Sequence, residues 1–261
     1  MSDIRLYDLN KKKDLKTMKV SKGELQRLVE ENSVDLLGVT VILSNYNLTQ
    51  KNGEILETLG YDEDRRLVVI EYHTTKYSRT INKGLEYLDY IRQNVGKLKV
   101  LLKEKLNDSD FIYNPRLICI GEEFNEYDNK AISFLPFDID LIKCQVVNKD
   151  IILLEKIYQN FVSYDKDLVN DKTINNLYLR LDDVAYSLGD ELAKSYLGGC
   201  VSYRRIKNFM YVYFDNNLTL VLKINGEYKK YIIKTESDVI NVTPLIEVAY
   251  DENWFKDIIW R

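Results

Sequence analysis

The chain has a single histidine, His73, and only three cysteines, Cys119, Cys144 and Cys200, which stand far apart. One imidazole argues against a zinc centre and against a hydrolase triad, although serine and aspartate are plentiful. The cysteines lack metal-ligand spacing, so buried free thiols in a reducing compartment are the expectation. No glycine-rich phosphate loop is present, since the Gly198-Gly199 pair lacks the flanking pattern. No apolar run approaches the roughly 20 residues of a membrane span. The opening MSDIRLYDLNKKKD carries charge at once and has no apolar core, unlike a signal peptide. A cytoplasmic protein without a membrane partner is expected.

What is present is a chain of 261 residues, long enough for two domains of about 100–200 residues each. Its net charge is −4. Proteins that hold nucleic acid by phosphate neutralisation alone tend to be basic. A metal-dependent enzyme need not be, because the bound cation supplies positive charge locally. The mild acidity therefore counts against a purely charge-driven nucleic-acid binder more than against a nuclease.

The most informative stretch is Gly53 to His73, GEILETLGYDEDRRLVVIEYH. A charged turn, Asp62 to Arg66, separates Ile55–Gly60 from Leu67–His73, and the run Val68, Val69, Ile70 is β-branched. These features predict two neighbouring strands. Glu57 lies on the first and Glu71 on the second, so pairing brings two carboxylates towards one sheet edge. His73 follows Glu71 on the same face by the two-residue strand period.

This pattern resembles the PD-(D/E)xK nuclease superfamily, in which an acidic residue on one strand is followed, after a hairpin, by E-x-K on the next. Here the order is E…E-x-H, with Glu57, Glu71 and His73 in the three positions. The flanking ILETLGYDED-RRLVVIEY is similar to the I-D-x-L-G-x-D-E…V-I-E-Y-K run of archaeal and bacterial nuclease-like members. The segment ELQRLVEEN-SVDLLG likewise resembles the helix that precedes the core sheet in those proteins. On that basis Glu30 is implied to point into the site, with a solvated helix face as the plain alternative. The family often places a glutamine on the helix after the E-x-K strand; the matching residue here is Lys83, otherwise a surface lysine. The resemblance thus implies a Mg²⁺ or Mn²⁺ site held by Glu30, Glu57 and Glu71, with Glu57, Glu71, His73 and Lys83 as catalytic residues. Nucleic acid, DNA ahead of RNA, is the implied partner, and a homodimer is admitted.

Along the chain, Ile4–Asp8 reads as a short strand and Ser21-Lys22-Gly23-Glu24 as a capping box before a helix. Val39–Tyr46 alternates as a strand, followed by a polar turn to Gly53. Ser78 or Thr80 is expected to cap a helix with an apolar stripe Ile81, Leu85, Leu88, Ile91. Val95–Leu106 reads as a helix with Leu98, Leu101, Leu102 and Leu106 inward and its lysines outward. Pro115-Arg116 opens a strand Leu117–Ile120; a short helix around Asp128–Leu135 and strands Ile139–Val147 and Ile151–Glu155 follow. Alternation of this kind predicts α/β architecture with a mixed sheet, restriction-endonuclease-like by the resemblance, over residues 1–158.

Residues 159–173 are taken as a linker, and 174–261 as a small α+β domain. A helix on Leu177, Leu181, Val184, Leu188 precedes an antiparallel meander of Phe209–Phe214, Leu218–Ile224 and Tyr228–Ile233, with Asn225-Gly226 as a hairpin turn. Thr243 and Pro244 are expected to start a last helix. SYRRIKNFMYVYF resembles a small domain often fused to nuclease-like domains of this type. Its Tyr203, Arg204, Arg205, Lys207 and Phe209 interleave aromatic and basic groups as single-strand binders do; an ordinary strand with one wet face is the alternative.

Phosphodiester hydrolysis needs an activated water, charge relief on the phosphate and a proton for the leaving oxygen. Paired carboxylates serve by holding a hard cation. Replacing lysine with histidine removes a fixed positive charge near pH 7, which either Lys83 or Lys76 could supply. Two functions follow: a metal-dependent nuclease-like protein with a variant site, or a catalytically inactive nuclease fold that binds nucleic acid or protein.

Overall fold

The computed structural model describes residues 6–47, 55–75, 79–148, 150–160, 171–189, 192–197, 199–214 and 217–252. Lys76, Ser78, Gly53, Gly198 and most of the expected linker lie outside them. Two compact units emerge: one from residues 1–32, 41–61 and 66–160, the other from 33–40, 62–65 and 161–261. Among the described residues no helix is long and apolar enough to cross a membrane.

Strands β1 (Tyr7–Asp8) and β2 (Lys13–Asp14) form a small hairpin, and β3 (Thr17–Met18) follows. Ser21 caps α1 (Lys22–Glu31), its side chain accepting from the Glu24 N–H at 3.2 Å, while Leu25 and Val29 are buried. A short helix α2 (Ser33–Leu37), belonging to the second unit, leads into β4 (Val39–Tyr46). The expected hairpin is present: β5 (Leu56–Asp62) pairs antiparallel with β6 (Arg66–His73). Strand β6 is buried along its whole length, which its run of Leu67, Val68, Val69 and Ile70 permits on both faces.

Helix α3 (Thr80–Gln93) begins at Thr80, so Thr80 is its first residue rather than its cap, and the Arg79 side chain at the cap position makes no capping hydrogen bond. The buried stripe is centred on Gly84, Tyr87, Leu88 and Ile91, with Ile81 and Leu85 at its margin. A Cβ on Gly84 would stand 2.4 Å from Leu117 Cδ1. That absence lets α3 close on the sheet. Helix α4 (Val95–Leu106) buries Leu98 and Leu102 but exposes Leu106, which lies on the last turn, past the edge of the core.

Strand β7 (Ile112–Gly121) runs through Pro115 and lies parallel to β6; the capped helix α5 (Glu126–Ile132) connects it to β8 (Ile139–Val147), parallel to β7. Strand β9 (Ile151–Asn160) pairs antiparallel with β8, giving a seven-stranded mixed sheet of order β3-β8-β7-β6-β5-β4 with β9 on β8. The core gathers Leu59, Leu67 and Val69 from the hairpin with Tyr87, Leu88, Leu117, Cys119 and Leu141. All three cysteines are buried, and none forms a disulfide.

In the second unit, Asp171 caps α6 (Lys172–Ser187), and five antiparallel strands follow: β10 (Ala193–Leu197), β11 (Cys200–Arg204), β12 (Asn208–Phe214), β13 (Leu218–Ile224) and β14 (Glu227–Ile233). The meander therefore has five strands rather than three. Helix α7 (Glu236–Glu252) starts well before Pro244, which lies inside it. Thr235 and Asp238 exchange hydrogen bonds at its start and supply the cap that the Thr243-Pro244 reading placed too late. One sheet face packs Tyr203, Phe209, Met210, Val212, Leu220 and Leu222 against α6 and α7. Tyr203 and Phe209 are fully buried, Arg204 nearly so, and Lys207 donates to the Asp35 carbonyl at 2.6 Å. The aromatic–basic stripe expected there is not a surface. Apart from the half-buried Arg205, it belongs to the interior.

Candidate functional site

The hairpin register places Thr58 opposite Ile70 and Leu59 opposite Val69. Continuing it by one step sets Glu57 beside Glu71 on one face, both almost wholly buried. The Glu57 N–H reaches Glu71 Oε1 at 3.4 Å, and the Tyr72 N–H donates to Glu57 Oε2 at 2.7 Å. Strand geometry alone thus brings the two acids together, and burial removes the water that would screen them.

Lysines supply the compensation. Lys83, one position before Gly84 on α3, places Nζ 3.1 Å from Glu57 Oε1 and 3.3 Å from Glu71 Oε2. It also donates to the Ile55 carbonyl at 3.2 Å. Lys22, at the start of α1, donates to Glu57 Oε1 at 2.6 Å. The sequence offered no signal for Lys22 beyond its place in the capping box.

Glu30 and His73 stand elsewhere. The Glu30 carboxylate accepts from Ser44 Oγ at 2.7 and 2.8 Å, from Gln26 Nε2 at 2.9 Å and from Thr58 Oγ1. Thr58 points to the sheet face opposite Glu57, so Glu30 serves that other face. Gln26 Nε2 joins the two layers by also donating to the Glu57 carbonyl at 2.9 Å. The His73 ring packs edge-on against Phe124, centroids 4.5 Å apart, with Nε2 2.8 Å from the Glu123 carbonyl. A carbonyl only accepts, so Nε2 carries the proton. The ring fills the space a Cβ on Gly121 would need, 2.1 Å from Nε2. Burial lowers the His73 pKa, only partly offset by the Glu123 carbonyl, and keeps the imidazole neutral.

Charge within the pair is unequal. Burial pushes the Glu71 carboxyl up to about 7, the Glu57 charge adds to the rise, and Lys83 opposes it. Burial also acts to raise Glu57, but Lys22, the Tyr72 N–H and Lys83 together hold it below the ordinary carboxylate range. Lys83, despite burial, is held charged beyond its ordinary range by the two glutamates. The sign for stability follows. Folded Glu71 binds its proton more tightly than the unfolded group, so its contribution is full below the ordinary 4.5 and is lost as pH rises through about 7. A Glu71→Gln variant should therefore gain on wild type between pH 5 and pH 8, by on the order of a few kcal/mol. Urea unfolding in chelator at the two pH values measures it; an equal gap at both would mean that Glu71 ionises normally.

Hard cations take carboxylate oxygens, so Glu57 and Glu71 suit Mg²⁺ or Mn²⁺ chemically. Among the described residues no three His, Cys, Asp or Glu side chains converge to hold a metal ion. A cation would rest on two carboxylates and on water or phosphate oxygens, as Mg²⁺ commonly does.

No family model matches the chain. A curated Haemophilus influenzae protein, described as uncharacterized, is 32% identical over 180 residues, 64% of this chain. The chain spans 56% of that relative's length. Among solved structures, EndoMS bound to double-stranded DNA is 17% identical, with a TM-score of 0.25 over 44% of this chain and 41% of its own. EndoMS in apo form is 16% identical, with a TM-score of 0.29 over 46% of this chain and 44% of its own. A repair endonuclease from Pyrococcus abyssi is 21% identical, with a TM-score of 0.28 over 45% of this chain and 44% of its own.

Proposed function

We propose that the chain is a nuclease-like, DNA-acting protein of the PD-(D/E)xK kind, cytoplasmic, in which Glu57 and Glu71 hold Mg²⁺ or Mn²⁺. In this reading Lys83 supplies the positive charge that the E-x-H variant has lost from β6. The observation that supports it is the place of Lys83 Nζ, within 3.3 Å of an oxygen of each glutamate. The choice of DNA follows from the resemblance of the hairpin and the first helix. The cation, when bound, would relieve charge on the phosphate and acidify a water. Glu57 is ionised and ready to bind, whereas Glu71 must give up a proton near neutrality. Lys83 would stay charged beside the phosphate. Neutral His73, with its Nε2–H engaged by Glu123, holds the end of β6 against Gly121 and moves no proton.

The inactive alternative has its own support: all four oxygens of the glutamate pair already face an ammonium or an N–H. Gel assays on single- and double-stranded DNA with Mg²⁺ or Mn²⁺ decide between them. Cleavage by wild type, abolished in Glu57→Gln, is the expected result. With Lys83 in position, His73→Lys should bring no increase. A tenfold rise would return the missing charge to β6 and overturn the role given to Lys83. No cleavage by any of these proteins, with the fold intact, would leave the binding module.

A further inference from the structure

The outer face of the five-stranded sheet, turned away from α6 and α7, carries an open cavity of about 690 Å³ lined wholly by the second unit. That volume is typical of small-molecule and nucleotide pockets. Its walls are aromatic. Tyr211 and Tyr213, two apart on β12, lie nearly parallel with centroids 6.4 Å apart. Tyr228, opposite on β14, meets Tyr211 edge-on at 6.1 Å and leaves 54% of its surface in solvent.

The polar lining has an uneven balance. Glu63 and Asp64 contribute two carboxylates, but their four oxygens are engaged. Lys223 Nζ and the Asn208 N–H meet Glu63 at 2.5 and 2.7 Å, and Asn208 Nδ2 and Ser202 Oγ meet Asp64 at 2.5 and 2.8 Å. Lys230 lines the same cavity, is exposed, and pairs with no carboxylate among the described residues. Arg65 adds a second cation to the lining. Acids already occupied by donors, an unspent ammonium, the exposed Tyr228 ring and the half-buried Tyr213 ring suit a ligand with planar aromatic groups on an anionic backbone.

We propose that this cavity binds unpaired nucleotides of single-stranded DNA, with a base against Tyr213 and Tyr228 and the phosphate on Lys230 and Arg65. The proposal deepens the DNA-acting reading and rests on it for the class of partner. Duplex DNA hides its base faces, so a stacking site discriminates against it.

The test is fluorescence anisotropy of the full chain with labelled oligothymidylate and with a hairpin duplex, in chelator so that cleavage plays no part. Oligothymidylate should bind more tightly than duplex. Tyr213→Ala with Tyr228→Ala should weaken it by at least about tenfold, while the paired Phe substitutions should stay within about twofold. Lys230→Glu should flatten the slope of log affinity against log salt by at least about 0.7. Equal affinity for both DNAs, or Ala variants that bind like wild type, would overturn the proposal. So would a Tyr228→Ala variant that changes only the sedimentation mass, because a second copy of the chain would then cover this face. A chain that cleaves nothing with Mg²⁺ can still bind oligothymidylate, so failure here and failure of the nuclease reading are separate results.

Discussion

Lys83→Ala should cut metal-dependent DNA cleavage by roughly 10²–10³-fold, the usual loss when one preorganised charge-stabilising group is removed. That expectation rests on the nuclease reading, but the variant has a second readout that does not. Lys83 contacts both Glu57 and Glu71, and its charge and hydrogen bond hold the Glu71 pKa down. Without it, Glu71 should keep its proton to higher pH, and the pH span over which Glu71→Gln gains stability, still starting near the ordinary 4.5, should extend further upward. Lys83→Arg, which keeps the charge, should retain part of both effects. Wild-type rate together with an unmoved pH span would show that the ammonium is a bystander.

Much of this site could be read from the residues in order. The β-branched run after a charged turn located β6, and strand alternation put Glu71 beside Glu57. The boundaries of β4, α4 and β8 followed from apolar periods that no competing signal interrupted. Other features depended on packing. Glu30 sits on the right helix, but α1 lies over the Thr58 face, and nothing in a one-dimensional pattern says which side of a sheet a helix covers. Lys83 could reach the pair only because Gly84 allows α3 so close to Leu117, a contact between distant segments. Strands β10 and β11 mix lysine, serine and tyrosine, so their alternation was too weak to stand out. In α7 a proline suggested a start, whereas the Thr235–Asp238 exchange fixed it two turns earlier.

Arg116→Ala should destabilise the first unit by about 3–5 kcal/mol, the range for removing one partner of a buried ion pair. Arg116 on β7 is 1% exposed, and its NH1 lies 2.8 Å from Asp140 Oδ2 on the neighbouring β8, itself 5% exposed. Truncation leaves Asp140 in the interior without this guanidinium, and the desolvation already incurred is no longer offset. Replacing both, Arg116→Met with Asp140→Leu, should recover most of the loss, because two apolar side chains need no counter-charge. Urea denaturation with a two-state fit separates the outcomes. A loss below about 1 kcal/mol for Arg116→Ala would mean that water reaches Asp140, as it does in exposed pairs.

Strand β8 has one edge taken along its length by β9, and the other is divided: β7 pairs with Ile139 to Lys143, and β3 with Val146 and Val147. Thr17 meets its partner Val147 about 130 residues later in the chain. Such a closure brings a large loss of chain entropy for two residues of pairing, and it is repaid only once β8 has a sheet to belong to. Pairing of β3 is thus expected late in folding, whereas Lys22, four residues beyond it, is carried to Glu57 by α1, whose Leu25 and Val29 are buried. The hairpin that sets Glu57 beside Glu71 is local, and Lys83 follows it on the next helix, so its approach to the pair closes a far shorter loop than β3 does.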